Sequence, residues 1–138
     1  MNITYNQKRK NLPSDGLHRL FVSAGWSNDC SETPRLLKAF DKPFINSTLV
    51  VSAWDSQRLV GAVRTLSDKI IRSIIYDLVV DPEYRGLGIG KELIRRCIAC
   101  FPDSEWLVET TEDKISYYEK LGFKVNTDSF LSIPSKWQ

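Results

Sequence analysis

The chain has 138 residues and a net charge of +2, with 42% hydrophobic and 26% charged residues. This composition is typical of a soluble globular protein, and the length predicts a single domain over residues 1–138. The small net charge does not favour a nucleic-acid partner. No apolar run approaches the ~20 residues that a membrane-spanning helix needs, so we expect no membrane segment.

Three cysteines and one histidine leave a zinc site with almost no ligands, so we expect no metal. Cys97 and Cys100 form a C-x-x-C pair, but both lie in a predicted helix, and Cys97 falls on its apolar face. We interpret Cys97 as a packed thiol. Reduced thiols and the lack of a signal peptide predict a cytoplasmic protein.

Two helices are predicted in the first third of the chain. The first has Ser14 or Asp15 as its N-terminal cap and ends at Gly25. The second fits Thr33–Phe40, with Pro43 in the segment that stops it.

An antiparallel meander of strands precedes the middle of the chain. Alternating and β-branched residues, with turn residues between them, mark these strands. The predicted strands are a weak edge strand at Ile3–Tyr5, then Ser47–Trp54, Leu59–Leu66, and a buried strand that begins at Ile70 or Ser73 and ends at Val80.

A glycine-rich segment, Arg85–Gly90, joins that buried strand to an amphipathic helix that runs to Phe101. Three glycines at a helix start leave backbone N–H groups uncovered by side chains. Those groups and the helix dipole form a seat for an anion, most often a phosphate.

Two familiar phosphate motifs do not fit this segment. The P-loop needs Ser or Thr after Gly90-Lys91, but Glu92 stands there. The dinucleotide fingerprint needs a third glycine where Lys91 stands. The pattern that fits is Arg-x-x-Gly-x-Gly, with Arg85, Gly88 and Gly90 at its fixed positions.

The last part of the chain predicts one more strand, a helix and two short strands. A strand at Glu105–Thr110 follows the long crossover helix, so it should lie parallel to the strand that ends at Val80. A helix at Lys114–Leu121 comes next. Short strands are then expected at Phe123–Val125 and Ser129–Ile133.

Two motifs resemble the GNAT superfamily of acetyltransferases. The Arg-x-x-Gly-x-Gly pattern is similar to the loop that holds the acyl-CoA pyrophosphate in that family. The segment Tyr117–Phe123 resembles the family's Phe-Tyr-Glu-Lys-x-Gly-Phe, about thirty residues beyond the loop. The likeness spans roughly residues 17–125 and is to small stand-alone bacterial members, and distantly to the plastid serotonin acetyltransferase group.

The resemblance implies an α/β fold with a mixed sheet of six or seven strands and helices on both faces. Its two central parallel strands should splay so that the pantetheine arm of acetyl-CoA lies between them. The implied activity is that of an N-acetyltransferase, an acyltransferase that moves the acetyl group of acetyl-CoA to a primary amine of a small molecule, peptide or protein. A homodimer is one candidate assembly.

The resemblance also implies roles for particular residues. Tyr118 is at the position of the acid that reprotonates the departing thiolate, and a hydroxyl with a pKa of ~10 suits that role. Tyr117 takes the family's Phe position, where we expect it to pack. The expected cofactor-binding residues are Leu78, Val79, Val80, Arg85, Gly86, Leu87, Gly88, Ile89, Gly90, Lys91 and Thr111.

Some assignments stay open at this level. The general base could be Asp77, Glu109, Glu112 or Asp68, all near strand ends. Trp26 is either a core residue or part of the mouth of the acceptor pocket.

Two other functions compete with the enzyme. A non-catalytic CoA-binding or interaction module would keep the glycine loop without turnover. Nucleotide hydrolysis is opposed by the missing Walker Ser/Thr.

Overall fold

The structure is a computed structural model that describes residues 1–26 and 37–136. One sheet organises it, with the strands in sequence order from β1 to β5. The first four strands pair antiparallel, and β4 pairs with β5 in parallel. The strands are β1 (Ile3–Asn6), β2 (Leu49–Asp55), β3 (Arg58–Ser67), β4 (Arg72–Val80) and β5 (Glu105–Val108).

Helices cover both faces of the sheet, as expected. They are α1 (Ser14–Ser23), α2 (Lys42–Ile45), α3 (Ile89–Cys100) and α4 (Ile115–Glu119), with 3₁₀ turns at Pro82–Tyr84 and Glu112–Lys114. Among the residues described, no helix is both long and apolar enough to cross a membrane.

Two apolar layers hold these helices to the sheet. On one face, α1 and α2 bury Leu17, Leu20 and Phe44 against β2 and β3. On the other face, α3 buries Leu93 and Cys97 with Tyr118 of α4. Because side chains alternate across a strand, successive residues of β2 enter opposite layers. Cys97 is fully buried in the second layer, so it is a packed thiol, as predicted.

The ladder between β4 and β5 stops before β4 ends. Its last pair is Ile75 with Val108, although β4 continues to Val80. Beyond Ile75, β4 keeps its pairing with β3 only. The parallel neighbours and the splay between them are thus confirmed.

One expectation for the first helices was wrong. Helix α1 begins one residue after Pro13, whose carbonyl accepts the first helical bond from Leu17 N–H at 2.9 Å, so neither Ser14 nor Asp15 is the cap. The helical residues Leu37 and Lys38 are followed by a turn, so the second helix stops before Asp41 as predicted. Pro43 also lies in the first turn of α2, where the missing N–H of proline has no intrahelical partner to lose. The first half of the predicted helix Thr33–Phe40 lies outside the described residues.

The sheet has five strands in the described residues, where six or seven were predicted. The segments Phe123–Val125 and Ser129–Ile133 are not strands. Their apolar side chains are largely exposed, with Leu131 at 96% and Ile133 at 92%, so little burial compensates for the entropy of ordering them. The helix predicted at Lys114–Leu121 is also shorter: it spans Ile115–Glu119, with Lys114 in the preceding 3₁₀ turn.

Candidate active site

The glycine loop has the backbone form that an anion seat requires. Gly86 and Gly88 have φ of 82° and 79°, a left-handed conformation that costs other residues energy. Gly88 is the N-cap of α3, and no side chain caps that helix end. The first N–H groups of α3 therefore remain available to an external acceptor.

A buried carboxylate fixes the turn that leads into this loop. Asp81 has a side chain only 3% exposed, and it pairs with Arg58 at 3.1 Å and Arg19 at 3.8 Å. Its other oxygen accepts the N–H of Glu83 at 3.0 Å. The carboxylate thus joins β3, α1 and the 3₁₀ turn, which sets where the glycine loop begins.

A cavity of about 580 Å³ lies between this loop, helix α4 and the end of β4 that has no partner in β5. Leu78, Val79 and Val80 border it beyond the last pair of the β4–β5 ladder. The cavity-lining residues are Ala24, Trp26, Leu78, Val79, Val80, Tyr84, Arg85, Gly86, Gly88, Ile89, Gly90, Lys91, Lys114, Tyr117 and Tyr118.

Tyr118 lies at the inner end of this cavity. The residue is 9% exposed, and its ring packs edge-on against Tyr117 and Phe123. Burial, with a smaller effect from Tyr117, raises the pKa of Tyr118 to about 12. The hydroxyl is therefore protonated at neutral pH and can donate a proton.

Tyr117 reaches from α4 to the start of α3. A Cβ placed on Gly90 would lie 2.7 Å from the Tyr117 hydroxyl oxygen. A side chain at position 90, where φ is not positive, would therefore have to displace the Tyr117 hydroxyl. Burial raises the pKa of Tyr117.

A second cavity of about 240 Å³ continues past Tyr118. It shares Trp26, Leu78, Lys114 and Tyr118 with the first. Its other lining residues are Ile75, Tyr76, Val108, Glu109, Thr110 and Thr111. A ligand in the larger cavity and one in the smaller cavity would therefore meet at Tyr118.

The four candidate bases are in different surroundings. Glu109 lines the second cavity, next to Tyr118. Asp77 is paired with Arg64, and Asp68 accepts the N–H groups of the turn that leads into β4. Glu112 lines neither cavity. Glu109 is thus the carboxylate with the most direct access to the junction.

The structure brings most of the predicted site residues together. All but two of the predicted cofactor-binding residues line the larger cavity with Tyr118. Thr111 lines the smaller one, and Leu87 lines neither, with its side chain 53% exposed.

Sequence reasoning did not assign Tyr84, Lys114 or the Tyr117 hydroxyl to the site. The only signals were the departures of Tyr117 and Lys114 from the residues usual in the family.

Within residues 1–26 and 37–136, no group of three or more His, Cys, Asp or Glu side chains could hold a metal ion. The parts of the site are a backbone anion seat, an open strand edge and a protonated tyrosine. A splayed sheet with these parts defines the class of acyltransferases that bind an acyl thioester between strands.

Comparisons with known proteins agree with that class. The family described as acetyltransferase (GNAT) domain matches residues 46–125. The uncharacterized N-acetyltransferase ycf52 of Pyropia yezoensis is 31% identical over 131 residues, which cover 90% of this chain and 72% of the relative. The protein of the same name from Porphyra purpurea is 32% identical over 131 residues, with the same coverage.

Solved structures share the fold at low identity. A GNAT-family acetyltransferase from Streptococcus pneumoniae TIGR4 has a TM-score of 0.78 at 21% identity, over 98% of this chain and 100% of that one. An aminoglycoside acetyltransferase from an uncultured soil sample has a TM-score of 0.69 at 22% identity, over 99% and 100%. The chain belongs to the GNAT superfamily of N-acetyltransferases.

Proposed function

We propose that this protein transfers the acetyl group of acetyl-CoA to a primary amine by direct attack. The observation that carries the proposal is the open edge of β4, which lies between an anion seat at one end of a continuous cavity and Tyr118 at the other. When bound, acetyl-CoA supplies a thioester whose C–S bond breaks as the amine nitrogen bonds to the acetyl carbon.

The chain's own groups match the parts of such a ligand. The N–H groups of Gly86–Lys91 would bind the phosphates of the ligand. The cationic side chains of Arg85 and Lys91 line the same cavity. Val79 pairs with Ala62 of β3, so Leu78 and Val80 are the residues whose backbone groups point away from β3, toward the side where β5 offers no partner. The backbone N–H of Val80 stabilises negative charge on the acetyl oxygen, and Thr111 lines the smaller cavity with Tyr118.

Proton movements follow from the two titratable groups at the junction. Tyr118 holds the proton that the departing thiolate takes up. Glu109 receives the proton that the amine nitrogen loses, directly or through water. Each proton therefore has a donor and an acceptor.

The acceptor is a primary amine of a small molecule, or of a peptide or protein side chain that reaches into the smaller cavity. Relatives carry names of both kinds: histone acetyltransferase TAP1 of Glycine max, 31% identical over 85 residues, and glucosamine 6-phosphate N-acetyltransferase of Trypanosoma brucei brucei, 40% identical over 58 residues. A cavity of about 240 Å³ suits a small amine or the end of a lysine side chain.

The test is incubation with acetyl-CoA and a panel of arylalkylamines, polyamines, aminoglycosides, amino sugars and lysine peptides. We expect release of free CoA thiol and a product heavier by one acetyl group with at least one amine. Binding of acetyl-CoA without product from any class would favour the non-catalytic CoA-binding module. Absence of both would contradict the proposal.

We also propose a homodimer. The outer edge of β5 has no strand partner among the described residues. An apolar groove of about 250 Å³ runs beside it, bordered by Trp106, Phe123 and Phe130. An open edge beside exposed apolar residues is a surface that a second copy of the chain can cover.

Free thiols at Cys97 and Cys100 suit a reducing compartment, and we propose the cytoplasm. Localisation of a tagged protein by microscopy would check this.

A further inference from the structure

We propose that the Tyr117 hydroxyl is a positioning group for the acyl donor, to whose phosphate-bearing arm it donates a hydrogen bond beside Gly90. The inference rests on the proposed use of acetyl-CoA and adds a residue to that site. At the position of Tyr117 the family motif has Phe, whose ring cannot make this bond.

The first observation is where the hydroxyl lies. Its oxygen would be 2.7 Å from a Cβ on Gly90, and the ring carbon Cζ would be 3.9 Å from the same Cβ. Gly90 is the second residue of α3. The phenol oxygen therefore lies against the positive end of the helix, at the anion seat.

The second observation is that the Tyr117 hydroxyl has no hydrogen-bond partner within the described ranges 1–26 and 37–136. The residue is 40% exposed, so its hydroxyl is accessible to a ligand. Because Tyr117 lines the larger cavity together with Arg85, Gly88 and Lys91, a ligand there is the natural acceptor.

The surroundings of the Tyr117 hydroxyl favour its role as a hydrogen-bond donor. Burial raises the pKa of Tyr117, so the O–H stays protonated at neutral pH, and Arg85 and Lys91 line the same cavity. An anionic oxygen is the acceptor that these groups favour together. Phenylalanine at this position would keep the wall of the cavity and remove the donor.

The first experiment is calorimetric titration of acetyl-CoA into the wild-type protein, Tyr117→Phe and Tyr5→Phe. Tyr5 lies on β1 against Arg96, outside the cavity, and serves as the matched control. We expect Tyr117→Phe to weaken binding by roughly 10- to 100-fold, the effect of losing a hydrogen bond to a charged group. Tyr5→Phe should bind like the wild type.

The outcomes separate the two proposals. Equal affinity of Tyr117→Phe and the wild type would overturn this inference and leave the proposed function standing. No binding by the wild type would overturn the proposed function.

The second experiment tests the contact with Gly90 without any ligand. Gly90→Ala alone should lower the melting temperature, because its methyl group meets the Tyr117 oxygen at 2.7 Å, closer than real Cβ contacts. The double variant Gly90→Ala/Tyr117→Phe should melt above Tyr117→Phe, because the clash is gone and alanine favours a helix over glycine. Equal effects of Gly90→Ala in both backgrounds would place the hydroxyl elsewhere and overturn the inference.

Discussion

At the residue scale, two adjacent tyrosines on α4 have different roles in the proposed site. Tyr118 is the buried one and lies where the two cavities meet, while Tyr117 lies over the anion seat. Residues next to each other on a helix point about 100° apart. One short helix can therefore address both the reacting end of a ligand and its phosphate end.

Tyr118→Phe should lower kcat by roughly 10²–10⁴-fold, the usual contribution of a positioned acid. The fold should persist, because the ring keeps its contacts with Tyr117 and Phe123. Within the described part of the chain the hydroxyl has no hydrogen bond to lose, so the melting temperature should change little. Affinity for acetyl-CoA by calorimetry and kcat by thiol release measure the two effects separately.

The acid role also has a pH signature. With a pKa of about 12, Tyr118 stays protonated across the working range of the enzyme, and its deprotonation should not lower kcat below that pH. An unchanged kcat in Tyr118→Phe, with Tyr5→Phe as the control, would remove Tyr118 from the mechanism.

At this scale the sequence predicted those site residues that belong to a local motif. Gly86 and Gly88 have the positive φ that a glycine pattern suggests, and Tyr118 lies in the cavity. Choosing Glu109 over Asp77 required the long-range pairing of Asp77 with Arg64, which no local pattern contains. Tyr117 was expected to pack because its motif position is aromatic, and the ring alone does not reveal where its oxygen points.

At the scale of elements, α3 joins the anion seat to the core. Its apolar face is buried against β2 and β3, while Glu92 in its first turn bonds Arg95 at 2.6 Å and Arg96 at 2.9 Å. Hydrogen bonding to Arg95 is the main cause that lowers the pKa of Glu92 from 4.5 to about 2. This cluster keeps the first two turns of the helix together beneath the loop.

Glu92→Gln should lower stability at neutral pH by about 1 kcal/mol, since the arginines are partly exposed and solvent screens the pairs. The folded pKa lies below the ordinary value, so the carboxylate's contribution is present above pH 4.5 and is lost as pH falls toward 2. The melting temperature of the variant should therefore change less than that of the wild type over this window. Thermal unfolding monitored by circular dichroism across the window measures the difference.

Asp103→Asn is the control for that series, because Asp103 is exposed and forms no ion pair within the residues described. Parallel pH curves for the wild type and Glu92→Gln would show that the cluster does not stabilise α3.

Element types were easier to predict than their ends. The apolar stripe of α3 and the β-branched runs of β2 to β4 follow from periodicity. The end of β5 at Val108, short of the predicted Thr110, depends on where the two parallel strands separate. Proline in the first turn of α2 shows that a stop signal read locally can also be a start signal.

At the scale of the whole molecule, the sheet of the described residues has two edge strands, β1 and β5. The crossover through α3 was enough to predict that β4 and β5 are parallel neighbours. The expected strands after Phe123 were wrong, because their pattern says nothing about whether a partner lies within the same chain. The apolar tail, Ser129–Ile133, and the free edge of β5 are therefore left exposed together.

The proposed homodimer makes a prediction about that tail. Leu131→Asp combined with Ile133→Asp should shift the wild-type dimer to a monomer, since both side chains are more than nine-tenths exposed in one chain and charge on a buried interface is costly. Sedimentation velocity measures the shift. Ile70→Asp, at the exposed turn before β4, is the control. A monomeric wild type would contradict the dimer.

The central claim is that acetyl-CoA binds along the open edge of β4 with its phosphates on the glycine loop. Its most direct test is calorimetric titration of acetyl-CoA into the wild type, Gly88→Asp and Gly88→Asn. Both side chains tolerate the left-handed φ of 79° at this position, but only aspartate adds a charge that repels phosphate. We predict one binding site in the wild type, weaker binding in Gly88→Asn, and none in a folded Gly88→Asp. Unchanged affinity in a folded Gly88→Asp, or no binding by the wild type, would contradict the account.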